Sequence, residues 1–122
     1  MNPGEWARCE AWIAGALEYS GGTHDLADVR AMVERGEAQF WFSANAAGVT
    51  EVVTYPRFKS LHLWLCGGDM GEIVLILLPA AEAWAKAQGC TKTSTAGRVG
   101  WSRVLEPLGY EPVAQICMKE LT

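Results

Sequence analysis

The sequence has no run of Lys or Arg, no Cys-x-x-Cys pair, and only two histidines, His24 and His62. Each scarcity removes a class of function. Binding nucleic acid irrespective of its sequence needs a basic stripe that displaces counterions, and here the formal net charge is −4. A basic helix suited to a membrane surface is also missing. The longest apolar run, Ile73 to Ala81, is too short to span a bilayer and contains Pro79. Neither a nucleic-acid nor a membrane partner is therefore expected. Cys9, Cys66, Cys90 and Cys117 are widely spread, and neither histidine clusters with them, so no metal is expected. Glu5 and Glu10 interrupt any apolar leader segment. Together these features read as reduced thiols in a cytoplasm.

What is present is core material. Half of the 122 residues are hydrophobic and six are Trp. That length fits one domain spanning residues 1–122, and such a domain buries about two-thirds of its unfolded surface. Trp6, Cys9, Trp12, Ile13, Ala16 and Leu17 recur at helical spacing after Pro3, and Gly21-Gly22 ends that helix. A second helix starts at Thr23 or Asp25, buries Leu26, Val29, Met32 and Val33, and closes at Gly36.

The pattern then changes from helical to alternating. Gln39–Ser43 and Gly48–Tyr55 read as strands joined through Asn45-Ala46-Ala47-Gly48, and Pro56 stops the second. In a third strand, Ser60–Cys66, the alternation puts Leu61, Leu63 and Leu65 on one face and His62, Trp64 and Cys66 on the other. Trp41 and Trp64 are expected on a shared face, as an aromatic wall. A glycine-rich turn follows, Gly67 to Gly71, then a helix over Glu72–Gln88 kinked at Pro79. A rival reading makes Ile73–Leu78 a strand. Cys90–Thr95 reads as a strand, Val99–Leu108 as a short helix, and Pro112–Met118 as a last strand.

This order resembles the GNAT acyltransferases with their first strand missing. Val104-Leu105-Glu106-Pro107-Leu108-Gly109-Tyr110-Glu111-Pro112 is similar to the family's closing helix–Gly–strand segment. Ala83 to Cys90 is similar to the exit of its central helix. Tyr55-Pro56-Arg57, Gly67-Gly68-Asp69 and Gly97-Arg98-Val99-Gly100-Trp101 resemble small GNAT-like proteins of phages and prophages. The resemblance implies an α+β fold: three α/β/α layers with two N-terminal helices, an antiparallel meander, then β-α-β-α-β. It also implies the cytoplasm of a bacterial host, or the virion, as the location.

If the family's site is active, its cofactor is acetyl-CoA or CoA. The resemblance puts Leu65 and Cys66 against the pantetheine arm and Gly67, Gly68, Asp69, Met70 and Gly71 around the phosphates. Backbone amides at a helix start suit anions. This loop nevertheless has no basic residue, and it carries Asp69 and Glu72. Leu105 stands where many members have the Tyr that protonates the departing thiolate. Glu51 and His62 are the candidate bases, against a reading in which each merely lies on a solvated sheet face. Cys66 has no His or Lys beside it in sequence and reads as a structural thiol. Arg98 and Trp101, between two glycines at a helix start, form a candidate ligand or partner contact.

Two functions stay open at this level. One is a GNAT-like module with a degenerate acyl-CoA site, binding a phage or host protein. The other is an active N-acetyltransferase on an unknown amine. A homodimer is compatible with either.

Overall fold

The first helix, α1 (Pro3–Leu17), begins where Asn2 allows it. The Asn2 side chain accepts from the Gly4 and Glu5 amides at 2.9 and 3.2 Å, and Pro3 has no amide to satisfy. Trp6, Cys9 and Ile13 follow one another a turn apart and are completely buried. For α2 (Leu26–Glu34) the cap is Asp25 rather than Thr23. Asp25 and Asp28 each accept the other's backbone amide, a reciprocal box. These details come from a computed structural model that describes residues 1–97 and 100–121.

The sheet has the order β1-β2-β3-β4. β1 (Gln39–Phe42), β2 (Ala46–Thr54) and β3 (Lys59–Gly68) form an antiparallel meander, and β4 (Lys92–Thr95) adds parallel to β3. The hairpin loop is shorter than the sequence suggests, because Ala46, Ala47 and Gly48 already pair within the sheet. Ala46 and Ala47 are fully buried, one against each helical layer. Their smallness serves packing, not turning.

The alternation expected along β3 breaks at Trp64. Val49 pairs with Leu65 but Thr50 pairs with Leu63, which leaves Trp64 as a bulge. Leu61 and Leu63 consequently face α4, whereas Leu65 joins the cluster under α1 and α2. Trp64 also packs on that side, edge-on to His24 at 4.7 Å, while Trp41 packs against Trp84 on the other. The two tryptophans share no face, so the expected aromatic wall does not form.

Residues 70–87 are helical throughout, so the rival strand does not occur. One α-turn (α3, Met70–Glu72) leads into a π turn (Ile73–Leu77) and then α4 (Leu78–Ala87). The Leu78 amide reaches back to Ile73. The widened turn sits directly before Pro79, which has no amide and would crowd the carbonyl one regular turn earlier.

Three buried clusters result. Trp6, Ile13, Val29, Val49 and Leu65 lie between α1–α2 and the sheet. Leu61, Ala81, Ala85 and Cys90 lie beneath α4, and Ala46, Ile73 and Leu77 beneath the π turn. Ile13 and Leu61, both fully enclosed, each contribute about 2 kcal/mol of burial. α5 (Gly100–Leu105) continues into a 3-10 turn (Glu106–Leu108) ended by Gly109 at φ 93°. Val99, the expected start of that helix, lies outside the described residues. The expected last strand does not join the sheet. Residues 111–121 carry no regular structure, and Val113, Ile116, Met118 and Leu121 are exposed.

Candidate functional site

β3 and β4 pair only over Ser60–Leu63 and Lys92–Thr95. Past Leu63, among the described residues, no β4 residue pairs with β3, although β3 runs on to Gly68. The bulge at Trp64 sits at this divergence. The two strands part in register beyond Leu63, and the gap between them is the slot along which an extended ligand arm could lie. Leu65 turns into the α1–α2 core. Cys66 is half-buried near Ile73 and Trp101.

At the slot's end, Gly67 and Gly68 belong to the ladder, opposite Ala47 and Ala46. A side chain at position 67 would come within 2.7 Å of the Trp12 carbonyl oxygen. At Gly68, φ is 102°, and a side chain would run into the Asn45 carbonyl. Close backbone packing is sufficient reason for both glycines. Asp69 donates its amide to the Asn45 carbonyl at 2.7 Å and caps the helix through its side chain, which accepts the Glu72 amide at 3.0 Å. Asn45 in turn donates to Glu72 twice, from its backbone amide at 2.8 Å and from Nδ2 at 2.9 Å. The Ser43 hydroxyl and these two Asn45 groups hold the Glu72 carboxyl below the usual carboxylate range.

Two carboxylates thus flank the start of the central helix. Arg8, whose charge acts on Glu72, is already engaged. Arg8 donates to the Ser43 and Ala44 carbonyls, at 2.7 Å each, and pairs with Glu5. Beside Met70, an open cleft of about 340 Å³ is lined also by Gly100, Trp101 and Val104, none of them charged. Arg98 lies outside the described residues. Trp101 is half-buried, packed near Ile73 and Leu77. The acidic helix start does not suit the diphosphate of CoA.

The two candidate bases are brought together. Glu51 and His62 are direct partners across β2 and β3, and Ser94 sits opposite His62 on β4. The Ser94 hydroxyl lies 3.4 Å from His62 Nδ1, a long contact. Burial pulls the His62 imidazole below its ordinary value, partly opposed by the Glu51 charge and by Ser94. Burial thus favours the uncharged imidazole, the form that can accept a proton. Among the described residues, neither Leu105 nor Tyr110 is a comparable acid. Leu105 is buried in the core. The Tyr110 hydroxyl accepts from Thr93 at 2.8 Å, on the α4 face of the sheet, opposite to His62.

Sequence reasoning missed Asn45 and Ser94. Asn45 acts on a residue 27 positions away, and Ser94 is tied to His62 only through the parallel register. Neither link leaves a local motif.

No protein-family model matches the sequence. No curated protein matches it. Solved structures do. The aminoglycoside N-acetyltransferase AAC(6')-Iy in complex with CoA superposes with a TM-score of 0.75 over 99% of this chain and 91% of its own, at 12% identity. AAC(6')-IG from Acinetobacter haemolyticus, an aminoglycoside 6'-N-acetyltransferase, gives 0.69 over 100% and 95%, also at 12% identity. A Trypanosoma brucei acetyltransferase gives 0.60 over 92% and 94%, at 14% identity. At such identities the likeness is one of fold, and the fold of this chain is GNAT-like.

Proposed function

We propose that this chain is a GNAT-fold binding module of phage or prophage type, folded as one domain over residues 1–122, whose acyl-CoA site is degenerate. The observation that carries the reading is the acidic start of the central helix. Asp69 already caps that terminus, Asn45 holds the Glu72 carboxylate beside it, and the two charges oppose a diphosphate. Leu105, buried and without a proton to give, supports the same conclusion. The phage or prophage assignment rests on the motifs around Tyr55, Gly67 and Gly97. Its partner is a protein of the phage or of the host, in the host cytoplasm or in the virion, with Arg98 and Trp101 as the contact.

A second reading is favoured by one feature. Glu51, His62 and Ser94 form a row suited to deprotonating an amine, as an N-acetyltransferase using acetyl-CoA requires. Thiol release from acetyl-CoA in the presence of a panel of primary amines separates the two. The degenerate-site reading expects no release above the protein-free rate. Release that disappears in both Glu51→Gln and His62→Gln would establish the second reading in its place.

A further inference from the structure

The charges of this chain are unevenly spread. From Val52 to Gly68 and from Ala83 to Leu105 there is no Asp or Glu, although these stretches hold six of the ten Lys and Arg residues. The cations of the first two helices are neutralised within the chain: Arg8 pairs with Glu5, Arg30 with Glu34 and Arg35 with Glu37. Among the described residues, Arg57, Lys59, Lys86 and Lys92 make no ion pair, not even Lys86 with Glu82 one turn before it.

No basic run marks these four in the sequence, but the fold gathers them at one end of the sheet. Arg57 lies in the β2–β3 turn, which the Tyr55 amide closes onto the Phe58 carbonyl at 2.9 Å. Lys59 opens β3 and donates to the Gln88 carbonyl, at the end of α4, at 2.9 Å. Lys86 stands two residues before that carbonyl. Lys92 begins β4 beside Ser60, with its ammonium over the Phe58 ring, 4.5 Å from its centre. Stabilising a helix C-terminus accounts for Lys59 and Lys86. It does not account for Arg57 and Lys92, both exposed.

At the same end, Lys59, Trp84, Gln39 and Glu37 help to line an open cleft of about 480 Å³. The Thr50 hydroxyl accepts from the Trp41 indole at 2.9 Å and so gives its own hydrogen to Gln39 Oε1, also at 2.9 Å. That fixes the carboxamide, and among the described residues nothing accepts from Gln39 Nε2. The cleft therefore offers an ammonium and an amide donor beside an indole ring. Glu37, the acid in its lining, is already held by Arg35 through two hydrogen bonds, at 3.0 and 2.8 Å.

We propose that this end of the sheet is a docking surface for an acidic segment of a partner protein. One carboxylate enters the cleft at Lys59 and Gln39, and the others meet Arg57, Lys86 and Lys92. A short acidic segment matches the patch, whereas a nucleic acid would run beyond it onto a surface that carries all fourteen acids. Gly67 and Gly68 lie at the opposite end of β3, so this surface operates whether or not CoA binds.

Fluorescence anisotropy of a labelled hexaglutamate peptide, titrated with the full chain, tests this, with hexaglutamine and an oligothymidylate as comparison probes. Hexaglutamate is expected to bind saturably and hexaglutamine not, with an affinity that falls as salt rises. Arg57→Glu combined with Lys92→Glu should weaken binding by about tenfold or more, and both residues are exposed, so circular dichroism should be unchanged. Arg57→Glu alone should weaken it measurably, while Lys119→Glu, which alters the net charge equally, should not. The Gln39 side-chain amide and Trp84 indole NMR signals should shift on binding. No saturable binding overturns the proposal, as does an equal loss in Lys119→Glu or a bound peptide that leaves Gln39 and Trp84 unmoved. Tighter binding of oligothymidylate than of hexaglutamate overturns it in favour of a nucleic-acid partner.

Discussion

Gly68 lies opposite Ala46 across the β2–β3 ladder, and the space where a side chain would project is filled by the Asn45 carbonyl and the Ala46 backbone. The Ala46 Cα would be only 2.7 Å from a Cβ at position 68, whose φ of 102° no L-residue adopts readily. Gly68→Ala should therefore destabilise the protein by about 3 kcal/mol, combining backbone strain with overpacking. Gly89 has a similar φ of 88° but open space around it. Gly89→Ala should cost only about 1 kcal/mol. Urea denaturation of the two variants measures the difference, and equal losses would show that packing at Gly68 is unimportant.

Ser60 carries a buried hydroxyl with no hydrogen-bond partner among the described residues, at 2% exposure. A polar group left unsatisfied in a core costs about 1–3 kcal/mol. Ser60→Ala should accordingly leave stability unchanged or raise the melting temperature. A clear loss would mean that the hydroxyl has a bound water as partner.

His62 gives the protein a pH dependence of known sign. Its folded value lies below its unfolded one, so the unfolded chain binds the extra proton. This contribution to stability is present above the unfolded value of about 6.5 and is lost as pH falls through it. His62→Gln should flatten that part of the melting-temperature profile. Glu51 raises the His62 value, so Glu51→Gln should lower its NMR titration midpoint further. A midpoint unmoved by Glu51→Gln would mean the two side chains are not coupled.

The acids at the central helix can be neutralised at the loss of one of the two Asn45 hydrogen bonds to position 72. Asn is as good a cap as Asp, so Asp69→Asn keeps the helix start, and Glu72→Gln retains an acceptor for Asn45. With both charges gone, affinity for CoA should rise roughly tenfold at low salt, and the gain should shrink as salt is added. Affinity unchanged by the double substitution would remove the electrostatic basis of the degeneracy.

Much of the fold was legible in the sequence because its signals are local. Pro3 and Gly36 mark helix ends directly, Asp25 was one of two candidate caps, and the β-branched run from Val49 to Thr54 marks a strand. The layout around Pro79 was legible too, although the π turn that accommodates it was not. Two failures share a cause. The bulge at Trp64 follows from fitting β3 against β2 over its full length, and period-two reasoning along one strand cannot register a residue that its neighbour skips. The tail from Pro112 has strand-like composition, but composition alone does not decide whether a segment pairs. At the site, the Glu51–His62 juxtaposition follows from the meander once its register is known. The Asn45–Glu72 lock could not be read, since only the folded chain brings those residues together.

Calorimetric titration of acetyl-CoA into the wild-type chain tests the central claim, that this GNAT-like fold no longer holds its cofactor. A degenerate site predicts no saturable heat at millimolar ligand and no accompanying rise in melting temperature. A micromolar dissociation constant would contradict it, with the stabilisation of about 2.7 kcal/mol that linkage requires at a hundredfold ligand excess.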